Sequence, residues 1–553
     1  GYKLQYKPVV SKSVADTDKT NTDGQTVAKN STQTYTLTHD NVYANLKKGD
    51  KITIIDPLEA GAVPDVAVTK AATEKAGWGV AYDAGKNTYT FTATYEGKRL
   101  EAPVITWKPI YDKGFYDNTY KVLVNNYEVF SNTVVNYTSR PPKPVKSVLD
   151  RSGKNINGAT TFDRNVTFRL TTDYKPYSTF TADSKTYGKT WAMADDVQDG
   201  AYKVDDSKIT MKDSTGKDVK ALFNMYHVLS EKQRTKEIQS ILKEAGLNPK
   251  GEFYLWVAKD SASFYKNYVK PVKNITIELP ARLLVEKGKI VKNDFHQIDF
   301  GNAFVSNLVT LQVPDLKPEK HAVDQKDDKK IRDGQEIKIG EYLRYFLDGV
   351  TVPAKHDTLY QYDGIDKLDV KHDRYTGNWK GIIRGTEYVA EKELTLPYDV
   401  VLSNGKVVKA GDKIAKGSAY AFQFEFDQST NSNFIKKIVK VTWNEKEGKW
   451  AYTIDKDFLN SLGVKGTFDA DFYIEVERIA AGKVENTFIN TVNLQEMTAK
   501  VTTTTPEPPK PEPKEPHKPQ ASLPNTGTAA SMLPVVGMIL GLLSLAGLRK
   551  YKK

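Results

Sequence analysis

Three lysines, three aspartates and three asparagines recur in the same order along this 553-residue chain. Each lysine closes or follows a proline-bearing run: KPVVSKSV holds Lys12, PPKPVKSV holds Lys146 and LKPEKHAV holds Lys320. An aspartate stands 44, 49 and 46 residues further on, after a partly apolar run, as Asp56 in ITIID, Asp195 in WAMAD and Asp366 in YDGID. Each repeat then reaches an asparagine preceded by a charged residue and followed, one residue on, by an aromatic. These are Asn118 in DNTY, Asn293 in KNDF and Asn486 in ENTF. The first gap is nearly constant; the second varies, as loop insertions would make it.

These three residue types can perform one reaction together. A lysine amine buried among apolar groups loses its proton and becomes a nucleophile, because desolvation penalises the ammonium. It can then attack an asparagine carboxamide. An aspartic acid in the same surroundings stays protonated, and is expected to hydrogen-bond the carboxamide oxygen and relay protons to the departing ammonia. The product is an intramolecular isopeptide amide, so the expected crosslinks are Lys12–Asn118, Lys146–Asn293 and Lys320–Asn486, assisted by Asp56, Asp195 and Asp366. Each residue also has an ordinary reading, since an aspartate before a proline, such as Asp56, commonly ends a strand in a turn. Recurrence in order lifts the trio above that background. Rivals stand close by: Asp196 beside Asp195, Asp369 near Asp366, and Asn132 and Asn307 in similar serine-asparagine contexts. The third repeat has TAKV, Thr498–Val501, in the place of those last two, which favours Asn486 and its counterparts.

The elements that must position these residues are β-strands. NTYTFTATY (87–95), VTFRLTT (166–172) and DADFYIEVERI (469–479) alternate in period two between turn residues, the signature of antiparallel sandwiches. One amphipathic helix is expected in SEKQRTKEIQSILKEAG, with Ser230 as N-cap, Gln233 completing a capping box, Ile238, Ile241 and Leu242 on one face, and Gly246 past the end. RPPKP (140–144) and VPDLKP (313–318) read as stiff joints that stack the domains as a rod. The lysine would lie on an early strand and the asparagine on a late one, so that each bond ties the ends of one sandwich together.

Composition restricts the remaining choices. The chain has no cysteine, which excludes disulfides and thiolate metal sites, and its net charge of +11 is spread too thinly for a nucleic-acid stripe. No HExxH, GxSxG or cysteine nucleophile occurs and the seven histidines are scattered, so an enzyme acting on an external substrate is disfavoured. A pilin-like subunit would need a lysine in a YPK-like motif, and none is present.

From Pro506 the sequence becomes PEPPKPEPKEPHKPQASLPNTG, then a 17-residue apolar run, Met532 to Leu548, then RKYKK. Alternating prolines make an extended spacer, and a short apolar span before a basic tail pauses export at a membrane. LPNTG, comprising Leu523, Pro524, Asn525, Thr526 and Gly527, resembles the sorting motif of Gram-positive surface proteins. The resemblance implies that sortase cleaves between Thr526 and Gly527 and links Thr526 to peptidoglycan, so the membrane is met only transiently. The expected organisation is a first sandwich over 1–140, a second with an inserted helix over 141–314, a third over 315–505, a proline-rich wall spacer over 506–522 and the sorting signal over 523–553. A start without Met or an apolar leader is expected to mark the C-terminal part of a longer, exported precursor.

IIDPL (54–58), QIDFGNAFVSN (297–307), ERIAAGKVENTFINTVN (477–493) and the TTTTPE-to-LPNTG tail together resemble the C-terminal region of the streptococcal antigen I/II surface adhesins. The likeness spans essentially the whole chain, with a third repeat longer than usual in its middle. It implies an all-β chain of three tandem immunoglobulin-like, isopeptide-crosslinked sandwiches with a few short helices, covalently anchored in the cell wall. It also implies adhesion to salivary scavenger-type and mucosal glycoproteins and to surface proteins of other bacteria, with roles in biofilm and virulence. No cofactor is required, but calcium bound in this region is implied; Asp173 in TTDYKPY is a candidate oxygen ligand whose ordinary reading is a turn residue. The alternative is a structural spacer without a ligand site of its own.

Overall fold

A computed structural model describes residues 8–511. The sorting signal, the apolar run and the spacer beyond Pro511 lie outside the described residues. Within them the chain is all-β, with sheets in three successive groups and a few short helices.

In the first group, strands Ser11–Ala15, Gln33–Thr38, Val104–Pro109 and Ala62–Pro64 lie side by side in that order. A second sheet runs Tyr127–Phe130, Lys121–Val124, Lys51–Pro57, Thr88–Thr94 and Gly79–Asp83. All these pairings are antiparallel. Period-two alternation gives each sheet one apolar face, and the two faces meet: Tyr35, Leu37, Ile105 and Trp107 pack against Ile52, Ile54, Phe91 and Val122.

The second group repeats the plan. Val145–Leu149, Asn165–Thr171, Ile275–Leu283 and Tyr202–Val204 form one sheet, and Phe223–Val228, Phe253–Ala258, Ala192–Asp196, His296–Asp299 and Asn302–Val305 the other. FYLWVA (253–258) is buried along its whole length. Its Tyr254 and Trp256 enter the inter-sheet core, and its Phe253, Leu255 and Val257 are covered by the helix Lys236–Ala245 through Ile238, Ile241 and Leu242. A strand covered on both faces must be apolar at every position.

That helix starts later than the sequence suggests. Thr235, not Ser230, is its N-cap and accepts from the Ile238 N–H, while Ser230 precedes a separate 3₁₀ turn, Glu231–Gln233, without capping it. Gln233 does reach back, but to the N–H of Leu229 at 2.8 Å. Two cap-competent residues five apart compete, and the one in phase with the apolar stripe wins. Gly246 ends the helix at φ 72°, as expected.

The third group has a seven-stranded sheet, from Glu319–Asp324 through Tyr342–Asp348, Thr467–Arg478, Asp373–Val389, Ala419–Asp427 and Val400–Leu402 to Val407–Val408. It faces a five-stranded sheet of Val439–Asn444, Lys449–Ile454, Tyr362–Lys367, Gly482–Val492 and Gln495–Thr505. The middle of this group holds four short strands between 394 and 414 before Ala419–Asp427.

Successive groups join in the same way. At the first joint Thr26 bridges Phe180 in parallel, Asp183 accepts from the N–H and hydroxyl of Thr17, and Asp18 accepts from those of Ser184. At the second, Thr160 bridges His356 and Asp150 accepts from the N–H and hydroxyl of Thr358. There the Asp357 carboxylate also accepts from the N–H groups of Phe162 and Asp163 at 2.9 and 3.0 Å. Each joint lends an apolar residue to the next core: Ala28 enters the second and Phe162 the third.

Candidate functional site

The alternation that builds the sheets also turns the recurring polar residues inward. In Lys51–Pro57 the buried positions are Ile52, Ile54 and Asp56, so the aspartate is the third member of an apolar stripe and not a turn residue. Lys12 occupies the same face as Val14 in Ser11–Ala15. The two strands belong to opposing sheets, and their side chains meet across the core, with Lys12 Nζ on Asp56 Oδ2 and neither side chain exposed. Lys146 meets Asp195 in the same way, and Lys320 Nζ lies 2.5 Å from Asp366 Oδ1, again without exposure.

The three pairs have equivalent surroundings. Lys12, Lys146 and Lys320 lie opposite Leu37, Leu170 and Leu347 on the neighbouring strand. Two residues before each leucine an aromatic faces the amine: the ring centres of Tyr35, Phe168 and Tyr345 are 4.0, 5.3 and 5.0 Å from Nζ. The aromatic of the asparagine motif supplies a further wall, with Tyr120 5.7 Å from Lys12 Nζ and Phe295 5.9 Å from Lys146 Nζ. In the third group the asparagine and its aromatic, Asn486 and Phe488, are two apart on one strand and share its buried face.

Burial dominates the electrostatics. Desolvation pushes the Lys12 and Lys320 amines down to about 8 although an aspartate faces each, and it pushes Lys146 down as well. The same burial raises the Asp56 and Asp366 carboxyls, against the pull of their lysines. Both shifts favour the uncharged amine–acid form of the pair over the ion pair.

Each asparagine reaches the pair on a strand path running between the acid strand and the last strand. In the third group this path is one strand, Gly482–Val492, pairing Phe488 with Asp366 and Asn486 with Val501. In the first two it breaks just after the asparagine: Phe115–Asn118 pairs with the last strand and Lys121–Val124 with the acid strand, as Ile290–Asn293 and His296–Asp299 do. The asparagine is therefore beside the terminal strand, not on it. Asn118, Asn293 and Asn486 are all buried.

At the second site the amide meets the acid through nitrogen, where a bond from the acid to the carboxamide oxygen was expected. Asn293 Nδ2 donates to Asp195 Oδ1 at 2.8 Å, to Asp196 O at 3.3 Å and to Tyr202 Oη at 2.7 Å. Asn118 and Asn486 adjoin Asp56 and Asp366, but Asn118 Nδ2 donates to Pro57 O at 2.9 Å and Asn486 Nδ2 is buried without a hydrogen-bond partner. All three Oδ1 atoms are buried without a hydrogen-bond partner.

The rivals fall elsewhere. Asp196 points outward and Asp369 bonds His372 at 2.8 Å. Asn132 and Asn307 clip the backbone of the lysine residues instead, each accepting from the lysine N–H and donating to its carbonyl at 2.7 to 2.9 Å. Tyr202 belongs to none of the recurring motifs; its short strand pairs with Ile275–Leu283, and its hydroxyl lies beside Asn293.

Asp173, the candidate calcium ligand, lies in a turn. Its carboxylate accepts from the backbone N–H groups of Lys143 and Lys175, which is turn chemistry, and no group of three or more acidic or histidine residues is arranged to hold a metal among the described residues. No helix among them is long and apolar enough to cross a membrane.

Two family models match the chain: "Cell surface antigen I/II C2 terminal domain" over residues 144–313 and "Cell surface antigen C-terminus" over residues 317–506. An aggregation substance of Enterococcus faecalis is 29% identical over 461 residues, 79% of this chain but 31% of the relative, so the chain spans about a third of that relative's length. The solved C-terminal domain of AspA, an antigen I/II-family protein of Streptococcus pyogenes, is 29% identical, with a TM-score of 0.51, covering 66% of this chain and 100% of that one. A mutant form of the C-terminal region of BspA, from Streptococcus agalactiae, is also 29% identical, with a TM-score of 0.50, covering 66% and 99%.

Proposed function

The chain belongs, through its second and third groups of sheets, to the antigen I/II family of cell-surface antigens, and from that premise we propose that it is the crosslinked stalk and adhesive C-terminal region of a wall-anchored adhesin. The observation that carries the crosslinks is the threefold burial of lysine, aspartate and asparagine in one apolar pocket. The neutral amine adds to the asparagine Cγ, forming the C–N bond. Its surplus proton passes through the aspartate to Nδ2, the Cγ–Nδ2 bond breaks, and ammonia leaves. The aspartate ends as it began, so the chain modifies itself once and turns over no external substrate.

The domain limits of 1–140, 141–314 and 315–505, the sortase reaction at Leu523–Gly527, and attachment of Thr526 to peptidoglycan are parts of the same proposal. Partners are host glycoproteins and other bacterial cells, a reading supported by the family and by an aggregation substance among the relatives. A stalk without its own ligand site is the second reading, favoured by bonded joints that fix one group of sheets to the next. Intact mass tests the crosslinks: three lost ammonia molecules are expected, with branched tryptic peptides joining Lys12 to Asn118, Lys146 to Asn293 and Lys320 to Asn486. A mass equal to that of the plain sequence would refute them. Saturable binding of residues 1–505 to immobilised salivary glycoprotein separates the adhesive reading from the spacer.

A further inference from the structure

The second lysine–aspartate–asparagine set has a component without a described counterpart at the other two. Tyr202 is buried, 4% exposed, on the edge strand Tyr202–Val204, and its Oη lies 2.7 Å from Asn293 Nδ2, the nitrogen that must depart. The ring is fixed by Phe168, 4.8 Å away between centres, which also faces the Lys146 amine. Tyr202 therefore touches the reacting amide on one side and, through Phe168, the wall of the nucleophile's pocket on the other. It also lines an open cleft of about 1220 Å³, with Val204, His227, Glu252 and Arg282 among the other walls.

We propose that Tyr202 is a catalytic residue of the second crosslinking site, assisting departure of the amide nitrogen and standing between that nitrogen and the cleft into which ammonia is released. This rests on the crosslinking reading above. In the planar amide the nitrogen lone pair is delocalised, and Nδ2 donates a hydrogen to Oη. When Lys146 Nζ adds to Cγ, that lone pair localises on Nδ2 and takes the proton that Asp195 relays, so the N–H held by Oη comes to belong to an ammonium-like nitrogen and its bond to the tyrosine oxygen becomes charge-assisted. The hydroxyl oxygen thus holds the leaving nitrogen more strongly as the C–N bond weakens, an interaction stronger in the transition state than in the ground state. Asp195, bonded to the same nitrogen at 2.8 Å, delivers the proton taken from Lys146. Nδ2 leaves as neutral ammonia, and Tyr202 keeps its own proton throughout.

The test is a refolding time course of the full chain recovered in unfolded, uncrosslinked form, with the three branched peptides quantified separately by mass spectrometry. Tyr202→Phe should slow Lys146–Asn293 formation by about tenfold or more while leaving Lys12–Asn118 and Lys320–Asn486 at their wild-type rates, as loss of one positioned hydrogen-bonding group does. Val204→Ala, in the same edge strand but not touching the amide, is the control and should leave all three rates unchanged. Wild-type rates at all three sites in Tyr202→Phe would overturn the role of the hydroxyl, as would equal slowing of the second crosslink by Val204→Ala. Absence of the Lys146–Asn293 peptide from wild-type protein would instead overturn the crosslinking reading at that site, and this proposal with it.

Discussion

At the scale of single residues, the proposed reaction makes the aspartate a proton carrier between an amine and an amide nitrogen. A buried pair holding one proton can place it on the lysine, as an ion pair, or on the aspartate, as two neutral groups, and the reactive form has the same total charge as the unreactive one. Crosslinking should therefore be insensitive to pH around neutrality. It should fall above about pH 8, where the Lys12–Asp56 and Lys320–Asp366 pairs lose their shared proton, and not rise as it would for an isolated amine. Rates of ammonia loss during refolding between pH 6 and 10 check this; a steady rise through pH 9 would contradict it. Asp56→Ala, Asp195→Ala and Asp366→Ala should each restore one ammonia to the intact mass, and persistence of the loss in any of them would show that its acid carries no proton. Of the adjacent Asp195 and Asp196, the sequence favours Asp195 with Asp196 as its rival, and in the strand Asp195 is turned inward to Lys146 while Asp196 is exposed.

At the scale of elements, the joints carry titratable groups of their own. Burial pushes the Asp357 carboxyl up to about 6 even though two N–H groups of the preceding domain and Asn493 donate to it. Its folded-state affinity for a proton thus exceeds that of an unfolded aspartate. The stability it contributes is complete below about pH 4 and is lost as pH rises through about 6. Relative to Asp357→Asn, which does not titrate, wild-type Tm should decline from pH 4 to 7; a constant difference would show that the joint does not sense pH. The helix Lys236–Ala245 offers a second check. Thr235→Ala should cost about 1 kcal/mol in denaturant unfolding and Ser230→Ala much less, since only Thr235 caps it.

At the scale of the whole molecule, each proposed bond closes a loop of over a hundred residues between an early strand and one beside the last. In the chain-entropy model used for disulfides such closure stabilises by about 4 to 5 kcal/mol. Asn118→Ala, Asn293→Ala and Asn486→Ala should therefore each lower the stability of their own domain by a few kcal/mol and open it to trypsin, leaving the other two resistant. Uniform sensitivity across all three would mean that the domains do not unfold independently. With joints bonded through Asp183, Asp150 and Asp357, force applied along the chain passes from one sandwich to the next. Covalent closure within each sandwich would then limit how far it can extend.

Order, spacing and period-two alternation were enough, without coordinates, to select Lys12, Asp56 and Asn118 and their counterparts and to identify the sheets. These signals are local: parity fixes which face a residue takes, and recurrence marks which polar residues a core retains. The use of Asn132 and Asn307 as backbone clips, the approach of Asp195 to the Asn293 nitrogen and the presence of Tyr202 beside it were visible only in the tertiary structure. Each depends on which strand edge lies beside which, and that follows from packing two twisted sheets across a core, through contacts more than a hundred residues apart in sequence that no local pattern encodes.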